Sequence, residues 1–147
     1  MSLRILEDKE RFRFHRLDKK TRKKTLDTLR KLLSSREEIV IAAVYGGFIE
    51  YNSFHDIDVG VYTGYKIPYE KTHIYQEELS TTLSKTLGYP VDVRVIDYAP
   101  TWFRVKVLEG IVIVEKTECL ATRLKFKYLQ ELNDIILKKK IIENKSL

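Results

Sequence analysis

The stretch VYGGFIEYNSFHDIDVGVY, residues 44–62, decides the architecture. Its first residues complete IVIAAVY (39–45), a continuous apolar and β-branched run that stops at Gly46 and Gly47. Such a run is the pattern of a strand covered on both faces, and it belongs inside a sheet. After a polar stretch, FIEYNSFH, comes DIDVGVYT (56–63), which alternates strictly over its first half and reads as a second strand. A period of two places Asp56, Asp58 and Gly60 on one face and Ile57, Val59 and Val61 on the other. Carboxylates two residues apart on a strand stand about 7 Å apart at their Cα atoms, from a rise of about 3.4 Å per residue. Their oxygens can converge on one divalent ion.

Working outward, Leu26, Leu29, Leu32 and Leu33 recur at spacings of three and four behind Asp18, predicting a capped amphipathic helix over about 19–35. Downstream, Pro68 opens a helix with Tyr75, Leu79, Leu83 and Leu87 on one face, and Gly88 and Pro90 stop it. A third strand, VDVRVID, puts Val91, Val93 and Val95 on one face and Asp92, Arg94 and Ile96 on the other. Pro100 starts a short helix through Trp102, Phe103, Val107 and Leu108, Gly110 ends it, and IVIVE (111–115) is a fourth strand. A last helix carries Leu120, Leu124, Tyr128, Leu132 and Ile135. The charged tail, 138–147, lacks an apolar face and is expected to fray. The expectation is one α/β (α+β) domain spanning 1–147, with helices flanking a central sheet.

The chemistry lies in a constellation: a buried strand, Gly46-Gly47, a short loop, Asp56-x-Asp58 and, on a third strand, Asp92. With the third strand beside the second, Asp92 joins the same face, and three carboxylates in one patch repel unless a cation is bound. Hard oxygen ligands favour Mg²⁺ or Mn²⁺. Such a site suits phosphoryl or nucleotidyl transfer, and the side-chain-free Gly46 and Gly47 let backbone N–H groups approach a phosphate, the more so with a helical turn from Phe48. Arg94 is read as a salt-bridge partner of the site's carboxylates or a phosphate contact. His55 is a solvated loop histidine or touches phosphate, and Lys66 is an ordinary exposed loop lysine. Asp97 is assigned as a cap of the next helix, Trp102 and Phe103 as core, and Cys119 as structural.

Composition bounds these readings. The chain has 147 residues, 44% hydrophobic, with one cysteine and three histidines, which excludes an internal disulfide and a Cys/His zinc module. No apolar run is long enough to span a bilayer, and the N-terminus lacks a secretory pattern, so a cytoplasmic location and no membrane partner are expected. The net charge of +6 is concentrated early, 13 of the 27 Lys and Arg lying in residues 1–36. The run Lys19, Lys20, Arg22, Lys23, Lys24 is a solvated helix face or meets RNA phosphates or an acidic partner; it has no interleaved aromatics for base stacking.

The string at 44–62, followed by PVDVRVID and APTWFRVKVLEGIVIVEK, resembles the minimal nucleotidyltransferase (MNT) domain of the polymerase-β-like nucleotidyltransferase superfamily over roughly residues 20–130. The resemblance implies the nucleotidyltransferase fold, a mixed sheet with flanking helices. It also implies two Mg²⁺ ions, a nucleoside triphosphate donor such as ATP, and transfer of the nucleoside monophosphate to an acceptor hydroxyl. Gly46 and Gly47 match the family's Gly-Ser, Asp56 and Asp58 its metal-binding pair, and Asp92 its third carboxylate. Two departures bear on the donor: Gly47 lacks the serine hydroxyl, and the loop from Phe48 to His55 is about two residues shorter than usual and lacks an Arg-Gly. Many MNT proteins are encoded beside a HEPN-domain protein and act as antitoxins, some by adding AMP to a tyrosine of that partner. The expected function is such a metal-dependent transfer; the alternative is a catalytically silent antitoxin that binds its partner stoichiometrically.

Overall fold

The computed structural model describes residues 13–145. The elements in chain order are β1 (His15–Arg16), α1 (Lys19–Ser34), β2 (Ile41–Tyr45), α2 (Gly47–Glu50), β3 (Ser53–Phe54) and β4 (Ile57–Tyr62). A 3₁₀ turn (Tyr69–Lys71) then leads into α3 (Thr72–Leu87), followed by β5 (Val91–Val95), α4 (Thr101–Leu108), β6 (Ile111–Glu115) and α5 (Leu120–Lys145). The stretch read as polar, 48–55, holds most of α2 and all of β3, and β3 pairs antiparallel with β1.

The main sheet has the order β5-β4-β2-β6. All five residues of β2 are buried, as the unbroken apolar run requires, and β2 is antiparallel to both neighbours, β4 and β6. β4 and β5 run parallel, joined through α3, so the sheet is mixed, as expected. One face packs Ile57, Val59, Val61, Val91 and Val93 against Leu29 and Leu33 of α1 and Leu79 and Leu83 of α3. The other packs Ile41, Ala43 and Tyr45 against Val105, Val107 and Leu108 of α4 and Ala121 and Tyr128 of α5. Gly60 is required on this second face, because a Cβ there would lie 2.2 Å from Val107 Cγ1. α4 therefore sits close on β4, and Asp58, one step along the same face, lies just past that contact.

Local signals start and stop the helices. Asp18 accepts the Thr21 N–H at 2.7 Å to begin α1, and Gly88, left-handed at φ 78°, ends α3. The outer edge of β5 is closed by side chains. The N–H groups of Val91, Val93 and Val95 donate, each at 2.9 Å, to Ser84 Oγ, Ser80 Oγ and Gln76 Oε1 of α3. Four helical residues advance about 6.0 Å and two strand residues about 6.6 Å, so three consecutive contacts stay in step.

Several expectations are corrected. Asp97 does not cap α4, whose N-cap, Pro100, makes no side-chain hydrogen bond. Instead its buried carboxylate accepts from Thr63 N and Oγ1, both at 3.0 Å, and from Tyr65 N at 2.7 Å, fixing the turn after β4. Trp102 is 59% exposed, since α4 turns it outward while Val105, Val107 and Leu108 face the sheet. Cys119 is exposed and precedes α5 in a left-handed conformation, φ 60°. The tail is helical as far as Lys145. It continues α5, with Ile135, Leu137, Ile141 and Ile142 exposed along it, and Leu137 and the lysines 138–140 are good helix formers even without a face to bury. Among the described residues no helix is long and apolar enough to cross a membrane.

The ladder from α3 to β5 gives a stability test. Ser80→Ala leaves the Val93 N–H without its acceptor, and the loss should be about 1–3 kcal/mol in urea unfolding. An unchanged midpoint would show that the contact contributes nothing.

Candidate active site

Sheet register brings the acidic residues together. Asp58 of β4 lies opposite Tyr45 of β2 on one side and Asp92 of β5 on the other, so the three side chains share a face. Asp56 enters from the residue pair preceding β4. Asp56, Asp58 and Asp92 each offer a carboxylate oxygen within 4.8 Å of the others, and all three are half-buried. Sequence reading grouped these three residues, and the structure joins them.

Burial, then the charges of Asp56 and Asp92, pushes the Asp58 carboxyl up to about 7. Burial and Asp92 also raise Asp56. Burial and the Asp58 and Asp92 charges push the Tyr45 hydroxyl above the ordinary tyrosine range. The site is thus short of positive charge, and its convergent hard oxygens fit a divalent cation such as Mg²⁺ or Mn²⁺. Arg94 takes the salt-bridge alternative, its Nε lying 3.3 Å from Asp92 Oδ2.

The glycine pair abuts the acids. Gly46 has φ 76°, and a Cβ on it would stand 2.5 Å from Asp58 Oδ2, so glycine is required twice over. Gly47 begins α2, as the expected helical turn requires, one residue earlier than read. The turn's hydrogen bonds start at the Ile49, Glu50 and Tyr51 N–H groups, leaving those of Gly47 and Phe48 outside its ladder. A Cβ at Gly47 would meet only Tyr51 Cδ2, at an ordinary 3.8 Å.

Two clefts flank Asp92 and Arg94. One of ≈ 760 Å³ runs between these residues and Gln76, Ser80 and Thr81 of α3; the other, of ≈ 430 Å³, is walled by Tyr45, Pro100 and Phe103. Sequence reading missed Tyr45 and Gln76 as site walls. The signal for Tyr45 was its position directly before Gly46, which sets it opposite Asp58 once the hairpin register is known. His55 is partly exposed, its ring lies 3.7 Å from that of Phe14, and its buried Nδ1 has no hydrogen-bond partner among the described residues. Lys66 donates to the Glu37 carbonyl at 3.1 Å.

Residues 27–119 match the family model described as polymerase beta, nucleotidyltransferase. The chain belongs to the polymerase-β nucleotidyltransferase family. The match spans β2, the glycine pair, all three aspartates and β6. No curated protein sequence matches it. Among solved structures, this nucleotidyltransferase is similar to a chain of the tri-AMPylated Shewanella oneidensis HEPN toxin in complex with MNT antitoxin (TM-score 0.65, 17% identity, covering 84% of this chain and 97% of that one). It is also similar to a chain of the toxin–antitoxin MntA-HepT (TM-score 0.64, 17% identity, 84% and 97%). A third similar chain comes from a toxin–antitoxin with AMP-PNP (TM-score 0.66, 17% identity, 82% and 96%). At these identities the likeness establishes the nucleotidyltransferase fold.

The raised Asp58 carboxyl sets a pH dependence. The folded chain holds that proton more tightly than an unfolded one, so the contribution of Asp58 to stability falls as pH rises from the ordinary 3.8 through about 7. Asp58→Asn should remove this loss, raising the melting temperature in EDTA at pH 8 but not at pH 4. Equal melting temperatures at pH 8 would show that the carboxylates do not strain the site.

Proposed function

We propose that the nucleotidyltransferase moves AMP from ATP to an acceptor hydroxyl, a tyrosine of a HEPN-type partner, in the cytoplasm. The observation that carries the reading is the convergence of Asp56, Asp58 and Asp92 to within 4.8 Å beside a glycine turn that has no room for a side chain at Gly46. Two structurally similar chains, one from a complex with a tri-AMPylated HEPN toxin and one from a toxin–antitoxin with AMP-PNP, support the donor and the partner class.

In this reading Asp56 and Asp58 would hold two divalent ions, with Asp92 completing one site. Bound there, the ions supply neutralising charge to the triphosphate and acidify the acceptor hydroxyl. The rest of the work falls to the chain. The N–H groups at Gly47 and Phe48 bind the donor phosphates. Asp92 takes the proton of the acceptor hydroxyl as its oxygen attacks the α-phosphorus and pyrophosphate leaves, and Arg94 holds the Asp92 carboxylate in place. The cleft on either side of Asp92 gives the acceptor its approach.

Gly47, with no hydroxyl where the family has serine, favours a second reading, a silent antitoxin that occupies its partner without transfer. Gly47→Ser tests whether the missing hydroxyl limits donor binding, since the position is sterically open and outside the left-handed region. On the enzymatic reading the variant folds and binds MgATP more tightly. A folded variant with unchanged affinity removes Gly47 from the cradle.

Asp92→Asn should lower labelled-AMP transfer to a co-purified HEPN-type protein by roughly a hundredfold or more while MgATP still binds. Asp58→Asn should lose both. Normal transfer by Asp92→Asn excludes it from the mechanism, and absence of transfer by the wild type with every acceptor supports the silent reading.

A further inference from the structure

The basic run on α1 contains one residue unlike the rest. Lys19, Lys20, Lys23 and Lys24 are exposed, whereas Arg22 is half-buried and turned onto the segment joining β2 to β4. Its Nη1 donates to the Phe48 carbonyl, and its Nη2 to the carbonyls of Tyr51 and Asn52, each at 2.8 Å. The guanidinium carbon also lies 4.9 Å from the Phe48 ring centre and 5.7 Å from that of Phe54, and the two rings pack edge to face at 4.8 Å.

The segment from Gly47 to Asp56 therefore closes around a single cation. Phe48 leads out of the glycine turn, Tyr51 and Asn52 form the bend, and Phe54 leads to Asp56. Carbonyls at the end of a four-residue helix have no partners within it, and a cation is favoured there. A planar fork of donors spans carbonyls on both sides of the bend while its flat face stacks on the rings; a lysine ammonium, a compact point charge, has neither that spread nor a plane to stack.

We propose that Arg22 is a positioning residue of the active site, holding the glycine turn and Asp56 in their mutual geometry so that donor binding depends on it. This rests on the reading of Gly46 and Gly47 as the donor-phosphate cradle. Arg22 touches no acid of the site and acts through the segment it ties.

The test compares Arg22→Lys, which keeps the charge, Arg22→Ala, which opens a space for a free guanidinium ion, and Lys23→Ala as a control for lost charge. Two quantities are measured: amide hydrogen exchange, and MgATP affinity by calorimetry. Both Arg22 variants should exchange at least tenfold faster over residues 48–54 while β2 and β4 stay protected, and should bind MgATP about tenfold or more weakly, the scale of lost charge-assisted hydrogen bonds. Lys23→Ala should match the wild type. Millimolar guanidinium chloride should restore part of the affinity of Arg22→Ala, a rescue that a general loss of stability does not permit. Should Arg22→Ala fail to fold, Arg22→Lys carries both measurements. Unchanged exchange in Arg22→Lys, or unchanged MgATP affinity despite faster exchange, overturns the proposal. A wild type that binds no MgATP overturns the donor reading instead, and the exchange data then still decide whether Arg22 holds the turn.

Discussion

Three carboxylates held within 4.8 Å of one another in a half-buried patch are the constraint on which the rest of this structure turns. Their repulsion opposes folding, and the scaffold overcomes it by leaving them no alternative. Asp58 is fixed between two paired strands, Asp92 is fixed opposite it by the parallel register, and Gly46 lies too close to Asp58 for any side chain. Beneath them the valines of β4 and β5 are packed against α1 and α3, so the strands cannot separate to relieve the charge without opening the core. Stability is thereby exchanged for a site already shaped for a cation, the usual conflict between local strain and function.

The same charge pattern bears on how a donor would arrive. The chain as a whole is positive, at +6, yet the site is acidic, with Arg94 paired to Asp92. On the proposed reading the general field attracts a nucleotide, while the three acids repel free triphosphate and admit it once a divalent ion has balanced the local charge. Metal and nucleotide binding would then be coupled, each raising the affinity for the other.

The sheet and the acidic site were legible because they rest on short-range rules. Period two sorted Asp56 and Asp58 from Ile57 and Val59, the apolar run placed β2 inside, and glycines and prolines set most of the element ends. What escaped depends on contacts between residues far apart in sequence. Arg22 sits among lysines, and nothing local separates a guanidinium that reaches Tyr51 and Asn52 from one that points into water. Asp97 stands where a helix cap belongs, but its carboxylate turns back to Thr63 and Tyr65, 34 and 32 residues earlier. Trp102 followed the apolar spacing of α4 and still faces outward, since an eight-residue helix on a sheet has only one buried side.

The polar row Gln76, Ser80 and Ser84, spaced four residues apart along α3, occupies the N–H groups of Val91, Val93 and Val95 along the outer edge of β5. At the opposite end of the sheet, Arg30 Nε donates to the Ile113 carbonyl of β6 at 3.1 Å. The β5 edge is thus met by side chains rather than by a further strand. A partner approaching β5, the strand that carries Asp92, finds three of its N–H groups already engaged, which opposes β-augmentation there. Recognition on that side must be by side chains and shape, which allows specificity between partners that strand pairing, indifferent to sequence, would not provide.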